Sequence, residues 1–247
     1  MKIVATIEAR MGSSRLPGKV LMPINGVPAI KKMIDRVKES RMIDDIIIAT
    51  SANKLDNEIV LWAKEHNIKV FRGSEDDVLD RVVKACASVN GDIIVELTGD
   101  SILTDPEIID LGVETFLNND CDIVSNCGTY LTYPMGIYVQ VFRYTDLKII
   151  SDTITDPAVR EHVSLYFYEN TDKYKLINLV APSAINRPDI RTQLDYIEDH
   201  KFIEQIFSNL EPEYGKIFGV YEIIRLIERK PEILNINKHC IEKDPRG

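Results

Sequence analysis

The sequence predicts an α/β fold built on an open, mainly parallel sheet with helices on both faces. Three observations carry that expectation. Short β-branched runs recur through the first half, stretches with apolar residues three and four apart separate them, and a polar segment follows each run. Strands covered on both faces read as near-continuous apolar runs, and right-handed crossovers place ligands beyond the strands' carboxyl ends.

Residues 3–7 (IVATI), 46–50 (IIIAT), 69–71 (KVF) and 92–97 (DIIVEL) are the first four strands, expected to be central and parallel. Between them, Ile30, Met33, Ile34 and Val37 mark one helix. Leu55, Ile59, Trp62 and Ala63 mark a second, with Trp62 expected in the core, and Val78, Leu79, Val82, Val83 and Cys86 mark a third. Asp105-Pro106-Glu107 opens a fourth, with Asp at the N-cap, Pro at the first helical position and Glu complementing the dipole. Residues 120–125 read as a fifth strand, 136–142 and 174–180 as two more. Pro157 opens a helix reaching about Asn170, and residues 195–210 and 219–228 are helical patterns. The tail from Lys238 to Gly247 is polar and expected to be mobile.

No linker or internal repeat divides the 247 residues, so one domain with an embedded substrate-side lobe is expected. With 30 Lys+Arg against 39 Asp+Glu, the net charge of −9 argues against a nucleic-acid partner, which needs a basic face. Apolar runs fall well short of the roughly 18 to 20 residues that span a bilayer. The start is too short for a signal-peptide core, so no membrane partner and a cytoplasmic location are expected. Cys86, Cys121, Cys127 and Cys240 form no CxxC pair, and neither zinc nor redox chemistry is expected of them.

Chemistry is sought after each strand. The first loop, Ala9-Arg10-Met11-Gly12-Ser13-Ser14-Arg15-Leu16-Pro17-Gly18-Lys19, gathers three cations and two glycines behind a buried strand. Glycines let backbone N–H groups turn toward an anion, hydroxyls add donors and the cations add charge, a combination suited to a triphosphate. It is neither a Walker A loop nor a GxGxxG fingerprint, and a solvated basic loop is the alternative reading. Asp100, in Thr98-Gly99-Asp100, ends a central strand, and Asp195 follows a short β-like run before a helix. Each reads as a cap or as a metal ligand, and the two could bracket one Mg²⁺.

The first loop resembles the signature of cytidylyltransferases that activate acidic sugars. These are the 3-deoxy-manno-octulosonate (KDO) and acylneuraminate cytidylyltransferases and, more closely, the spore-coat-polysaccharide-type family. The resemblance continues through Phe71-Arg72-Gly73-Ser74-Glu75-Asp76-Asp77-Val78-Leu79-Asp80-Arg81, Thr98-Gly99-Asp100, Tyr133-Pro134-Met135-Gly136, Arg160-Glu161-His162-Val163 and Leu194-Asp195-Tyr196-Ile197-Glu198-Asp199.

It implies a Rossmann-like, GT-A-like nucleotidyltransferase fold with an open mixed sheet. Residues 1 to about 125 would bind nucleotide, and about 126–235 would serve the acceptor and a homodimer. The implied reaction is CTP plus an acidic sugar giving CMP-sugar and pyrophosphate, with Mg²⁺, for surface polysaccharide. By position, Arg15, Lys19 and Asp100 would be catalytic and Asp100 with Asp195 would bind metal. Ala9, Arg10, Met11, Gly12, Ser13, Arg15, Lys19, Ser51, Ala52, Asn53, Ser74, Arg81, Thr98 and Gly99 would surround the nucleotide. Tyr133, Gly136, Tyr138, Gln140, Arg160 and His162 would surround the acceptor.

The chain departs from the family pattern at Ser101-Ile102, where Gly-Asp is commonly followed by x-Pro, and at Tyr138 and Gln140, where spore-coat-type members carry Asp and Glu. On a strand those two side chains share a face. Their neutrality predicts an acceptor carrying a carboxylate or phosphate. Another nucleotide, or a binding protein without turnover, are the alternatives.

Overall fold

The computed structural model describes residues 1–128, 130–242 and 246. The strands are β1 (Ile3–Glu8), β2 (Pro23–Ile24), β3 (Val27–Pro28), β4 (Asp45–Ser51), β5 (Lys69–Gly73), β6 (Ile93–Thr98), β7 (Ile123–Ser125), β8 (Gln140–Arg143) and β9 (Leu176–Asn178). The helices are α1 (Ala29–Val37), α2 (Asn57–Glu65), α3 (Val78–Ser88), α4 (Pro106–Asn118), α5 (Tyr144–Thr153), α6 (Pro157–Glu161), α7 (Leu165–Glu169), α8 (Ile197–Tyr214) and α9 (Val220–Arg229).

Seven strands form one sheet in the order β5-β4-β1-β6-β8-β7-β9, and β2 with β3 makes a small hairpin. The first four are parallel, as expected of their apolar runs, and β8 runs antiparallel to both β6 and β7, so the sheet is mixed. Strand alternation sorts the core into two layers. Ile3, Ala5, Ile7, Ile93, Val95 and Leu97 pack with α1, α4, α8 and α9, while Val4, Ile47, Ile94 and Phe142 pack with α3, α5 and α7. No helix among the described residues is long and apolar enough to cross a membrane.

Several elements differ from the sequence reading. Residues 136–139 leave the strand pattern because the buried Asn126 side chain takes up their backbone: its Nδ2 donates to Ile137 O at 2.8 Å and its Oδ1 accepts from Val139 N at 2.9 Å. Only Gln140 onward pairs with the sheet. The helix expected over 157–170 breaks at His162, which adopts an extended conformation, leaving α6 and α7.

Leu55 lies in a 3-10 turn ahead of α2 and is exposed, whereas Trp62 is half-buried against the core and stacks on His66. Helix α5 carries only Leu147 and Ile150 as buried anchors, too sparse a stripe to be read as a helix. Glu242 and Arg246 anchor parts of the tail expected to be mobile, through Arg191 and through Asp156 with Glu169. Residues 243–245 and 247 of that tail lie outside the described residues.

Candidate active site

The sheet is extended from β1 first toward β4 and then toward β6, so the loops after β1 and β6 diverge and open a crevice at their carboxyl ends. Glu8 pairs with Thr98 at the last rung. Gly99 then donates its N–H to Glu8 O at 2.8 Å, and a Cβ there would lie 2.5 Å from that oxygen, so this close approach of the two strand ends requires glycine.

Across the crevice, Gly18, with φ of 73°, closes the first loop by donating to Met11 O at 2.9 Å and starts the turn that carries Lys19 inward. Asp56, fully buried, joins this loop to the one after β4. Its carboxylate accepts from Met11 N at 2.7 Å and from Ser51 N at 3.0 Å, and also from the Ser51 hydroxyl.

Lys19 is the centre of the site. Its Nζ lies 2.8 Å from Asp100 Oδ2 and 2.8 Å from Asp195 Oδ1. Arg15 Nη2 also reaches Asp195 Oδ1 at 2.8 Å, and Arg191 Nη2 reaches Asp195 Oδ2 at 2.9 Å. Asp195 is completely buried, so three cations hold its charge in place.

Arg191 is fixed in turn by Asp199, at 3.0 Å from Nε, and by Glu242, at 2.9 Å from Nη1. Asp199 also accepts from Asp195 N and Tyr196 N, each at 3.0 Å, so it caps α8 and Asp195 does not. Burial alone would raise the Asp100 pKa, but the Lys19 ammonium overrides it and holds the carboxyl below its ordinary value. Burial would lower the Lys19 pKa, and Asp100 and Asp195 hold it above its ordinary value.

These carboxylates suit a divalent cation. Asp100 and Asp195 already share one positive centre, and Asp100 Oδ1 is buried without a hydrogen-bond partner, leaving a hard oxygen donor free. Arg15 Nη1, Arg81 Nε, Glu8 Oε1 and Gln193 Oε1 are buried and unpartnered in the same way. Such atoms at the carboxyl end of a sheet are the complement of a polar ligand.

A second acid cluster lies one layer below. Thr6, Glu8, Glu96 and Thr98 share the face covered by α3, α5 and α7, and Gln140 and Ser125 extend that row across β8 and β7. Gln140 Nε2 donates to Glu96 Oε2 at 3.2 Å, while Gln140 Oε1 accepts from the Ser164 and Tyr168 hydroxyls. Burial pushes Glu8 up to about 7, with Arg81 opposing, and raises Glu96 well above the carboxylate range, with Glu8 adding to the rise. No cation makes an ion pair with either carboxyl among the described residues, so burial acts on them with Arg81 opposing at Glu8 only through space.

The structure brings part of the expected nucleotide set to the crevice. Ala9 N donates to Ala49 O at 3.3 Å, and Ser13 Oγ accepts from Leu16 N at 3.4 Å, within the first loop. Gly12 lies against Glu75, whose carboxylate accepts from Asn53 Nδ2 at 2.8 Å. Ala52 and Asn53 are exposed at the mouth, and Arg10 makes no ion pair or hydrogen bond among the described residues. Arg81 is buried and donates to the carbonyl oxygens of Ser74 and Glu75. Thr98 Oγ1 bonds Ser101 Oγ at 3.0 Å.

The expected acceptor residues spread wider. Tyr138 has its hydroxyl pKa raised by burial and by Cys127, Glu242 and Asp100. Gly136, with φ of 95°, packs where a Cβ would lie 2.6 Å from Gln193 N, and so sets the backbone beside the site. Gln140 points into the acid row, and residues 137–139 before it are not strand.

Tyr133 is buried on the wall of a separate cavity of about 610 Å³ with Asp105, Phe218 and Tyr221. Arg160 ties α6 to Asp77, the N-cap of α3, and donates to Ser151 O. His162 is exposed at the α6–α7 break, its pKa lowered by burial of the ring with Glu161 opposing.

Glu8, Asp56, Glu96, Arg191 and Asp199 were missed by sequence reasoning. Arg191, Asp195 and Asp199 are spaced by four, which could have signalled one face, but a four-residue spacing of charges ordinarily marks a solvated helix.

The cytidylyltransferase family profile matches residues 4–234. The chain is 37% identical over 247 residues to an uncharacterized protein of Methanocaldococcus jannaschii, covering 100% of this chain and 98% of that one. It is 33% identical to the spore coat polysaccharide biosynthesis protein SpsF of Bacillus subtilis, covering 93% and 95%. A 3-deoxy-manno-octulosonate cytidylyltransferase of Chloroherpeton thalassium is 24% identical over 86% of this chain and 92% of its own.

Among solved structures, a cytidylyltransferase from Leptospira borgpetersenii superposes with a TM-score of 0.89 at 31% identity over 99% of this chain and all of that one. A CMP-2-keto-3-deoxy-manno-octonic acid synthetase complexed with CTP shares the fold, with a TM-score of 0.63 at 18% identity over 84% of this chain and 99% of that one. With the family profile spanning residues 4–234 and relatives above 30% identity over nearly the whole chain, the chain belongs to the cytidylyltransferase family.

Proposed function

We propose that the protein transfers CMP from CTP to an acidic sugar or a phosphorylated acceptor, releasing pyrophosphate, in the making of a surface polysaccharide. The observation that carries this reading is the Lys19 ammonium held 2.8 Å from both Asp100 and Asp195 behind the first loop. An acceptor oxygen attacks the α-phosphorus, a P–O bond to it forms, the bond to the bridging oxygen breaks and pyrophosphate leaves. Such a reaction needs charge neutralisation and positioning more than covalent help.

In this reading Arg10, Arg15, Lys19 and the N–H groups of Gly12 and Ser13 bind the triphosphate, the Met11 N–H being held by Asp56. Lys19 and Arg15 exchange their carboxylate partners for phosphate oxygens and meet the charge that grows on the leaving pyrophosphate. Asp100 and Asp195 would hold Mg²⁺, which supplies Lewis-acid polarisation of the phosphoryl oxygens. Ser51 to Asn53 and the Ser74–Arg81 contact flank the mouth where the nucleoside would lie. The neutral Tyr138, where relatives of the spore-coat type carry Asp, favours an anionic acceptor.

The test is pyrophosphate release from each of the four nucleoside triphosphates with Mg²⁺ and a panel of sugar acids, sugar phosphates and neutral sugars. Release with CTP and an acidic acceptor, at least about tenfold faster than with ATP or GTP, is the expected result. Turnover confined to a purine nucleotide, or to neutral sugars, would overturn it.

A further inference from the structure

Behind the N-terminus of α8, on a different set of residues from the nucleotide crevice, three unlike metal-binding side chains converge. Glu198 lies in the first turn of α8, and His239 and Cys240 follow the last 3-10 turn of the chain. One carboxylate oxygen, one imidazole nitrogen and the Cys240 sulfur lie within 4.8 Å of one another. Neither cysteine spacing nor histidine spacing signalled this, because the ligands come from two segments far apart in sequence.

The backbone presenting them is clamped on both sides. The buried Asn237 donates from Nδ2 to Arg191 O at 3.0 Å and to Asp199 Oδ1 at 2.9 Å, and Cys240 N donates to Asn237 O at 2.9 Å. Beyond the cysteine, Ile241 O accepts from Tyr196 OH at 3.3 Å and Glu242 pairs with Arg191 Nη1 at 2.9 Å. The pair His239–Cys240 is thus fixed against the residues that hold Asp195, and the ligand atoms are brought to one point by anchored chain rather than by a loose tail.

We propose that Glu198, His239 and Cys240 form a zinc-type metal site, with water completing four-coordination. A thiolate, an imidazole and a carboxylate form the mixed soft and borderline donor set that suits Zn²⁺ or Co²⁺ and not the all-oxygen preference of Mg²⁺ or Ca²⁺. Zinc–ligand bonds of about 2.0 to 2.3 Å in a tetrahedron put ligand atoms roughly 3.3 to 3.8 Å apart. Rotation of the exposed His239 and half-exposed Glu198 side chains closes the difference from the metal-free arrangement. On binding, the Cys240 thiol gives its proton to solvent and its sulfur bonds the metal. The metal would hold residues 237–242 against Arg191.

The test is titration of the full chain, stripped of metal, with Co²⁺ alone, followed by its thiolate-to-metal charge-transfer absorption in the near ultraviolet and by equilibrium dialysis with Zn²⁺. The proposal expects one equivalent bound, a charge-transfer band that Zn²⁺ abolishes by competition, loss of the band in Cys240→Ser, and at least about tenfold weaker binding in His239→Ala and Glu198→Gln. Mg²⁺ in excess should leave the band intact, which separates this site from the one at Asp100. A band that survives in Cys240→Ser, or no saturable binding of Co²⁺ or Zn²⁺ to the folded wild-type chain, would overturn it. Because the readout is binding, the outcome does not depend on whether CTP is the substrate.

Discussion

Two pairs of carboxyl groups lie buried or half-buried at the same carboxyl edge of the sheet, and the pKa of Asp100 in one is pushed in the opposite direction from those of Glu8 and Glu96 in the other. Asp100, facing Asp195 across the Lys19 ammonium, is held below its ordinary pKa. Glu8, two residues before the start of the first loop's cationic run, is pushed up to about 7, and Glu96 beside it well above the carboxylate range. Burial acts on Asp100, Glu8 and Glu96 in the same sense. What separates them is a cation in direct contact: Lys19 bonds the aspartates, whereas Arg81 donates to the backbone of Ser74 and Glu75 and attracts Glu8 only through space. Burial therefore sets the cost of a charge here and the partner decides whether the charge is kept.

The largest break in this comparison is Asp195→Ala. It leaves Arg15, Lys19 and Arg191 without the carboxylate they share, so nucleotidyl transfer should fall by on the order of 10³-fold or more. Unfolding free energy should drop by roughly 3 to 5 kcal/mol, read from urea denaturation.

Lys19→Ala comes next, with kcat/KM lower by on the order of 10²-fold. Lys19 is nearly buried, not the exposed group a basic loop would suggest, so stability should fall as well. The sign of the pH dependence should reverse. In the wild type, the stability that Asp100 contributes is present above its ordinary pKa and is lost as pH falls through its depressed one. In the variant the unpartnered carboxylate is relieved by acid, and the urea midpoint should rise from pH 7 toward pH 5.

Gln140→Glu sharpens the other half of the comparison by setting a third carboxyl against Glu96 with no added cation. It should destabilise the chain by about 2 kcal/mol at pH 8 and by less at pH 5.

The smallest effect is expected of Glu8→Gln, which keeps the shape and removes the titration. Because the folded pKa of Glu8 is raised, its contribution is fully present below the ordinary carboxylate pKa and is lost as pH rises through about 7. Between pH 5.5 and 8.5 the wild type should therefore lose on the order of 1 to 2 kcal/mol that the variant keeps, measurable as a difference in urea midpoints.

Much of this edge was legible in the sequence. The apolar runs fixed β1, β4, β5 and β6, and a parallel sheet directs attention to the segments after them, where Arg15, Lys19 and Asp100 stand. Asp195 was legible as a carboxylate after a β-like run, but not as the shared partner of three cations, because Arg15, Lys19 and Arg191 meet it only through tertiary packing.

The acid row was illegible for a different reason. Glu8 ends β1, where a polar residue ordinarily marks the exit to solvent, Glu96 interrupts the apolar run of β6, and only the register of β1, β6 and β8 shows that they share one face, with Gln140 opposite Glu96. Gln140 and Tyr138 were read as one strand face. The Asn126 side chain, thirteen residues from Val139, diverts the backbone between them, and no local pattern carries that information.

In the proposed reaction, the point shared by Lys19, Asp100 and Asp195 is where metal and triphosphate charge are received. Calorimetric titration of CTP into the wild type and into Asp100→Asn, with Mg²⁺ and with chelator, tests that most directly. Mg²⁺ should tighten CTP binding by about tenfold or more in the wild type, roughly 1.4 kcal/mol, and by less than about twofold in Asp100→Asn. An equal effect of Mg²⁺ on both proteins would show that the metal does not use this carboxylate and would contradict the account.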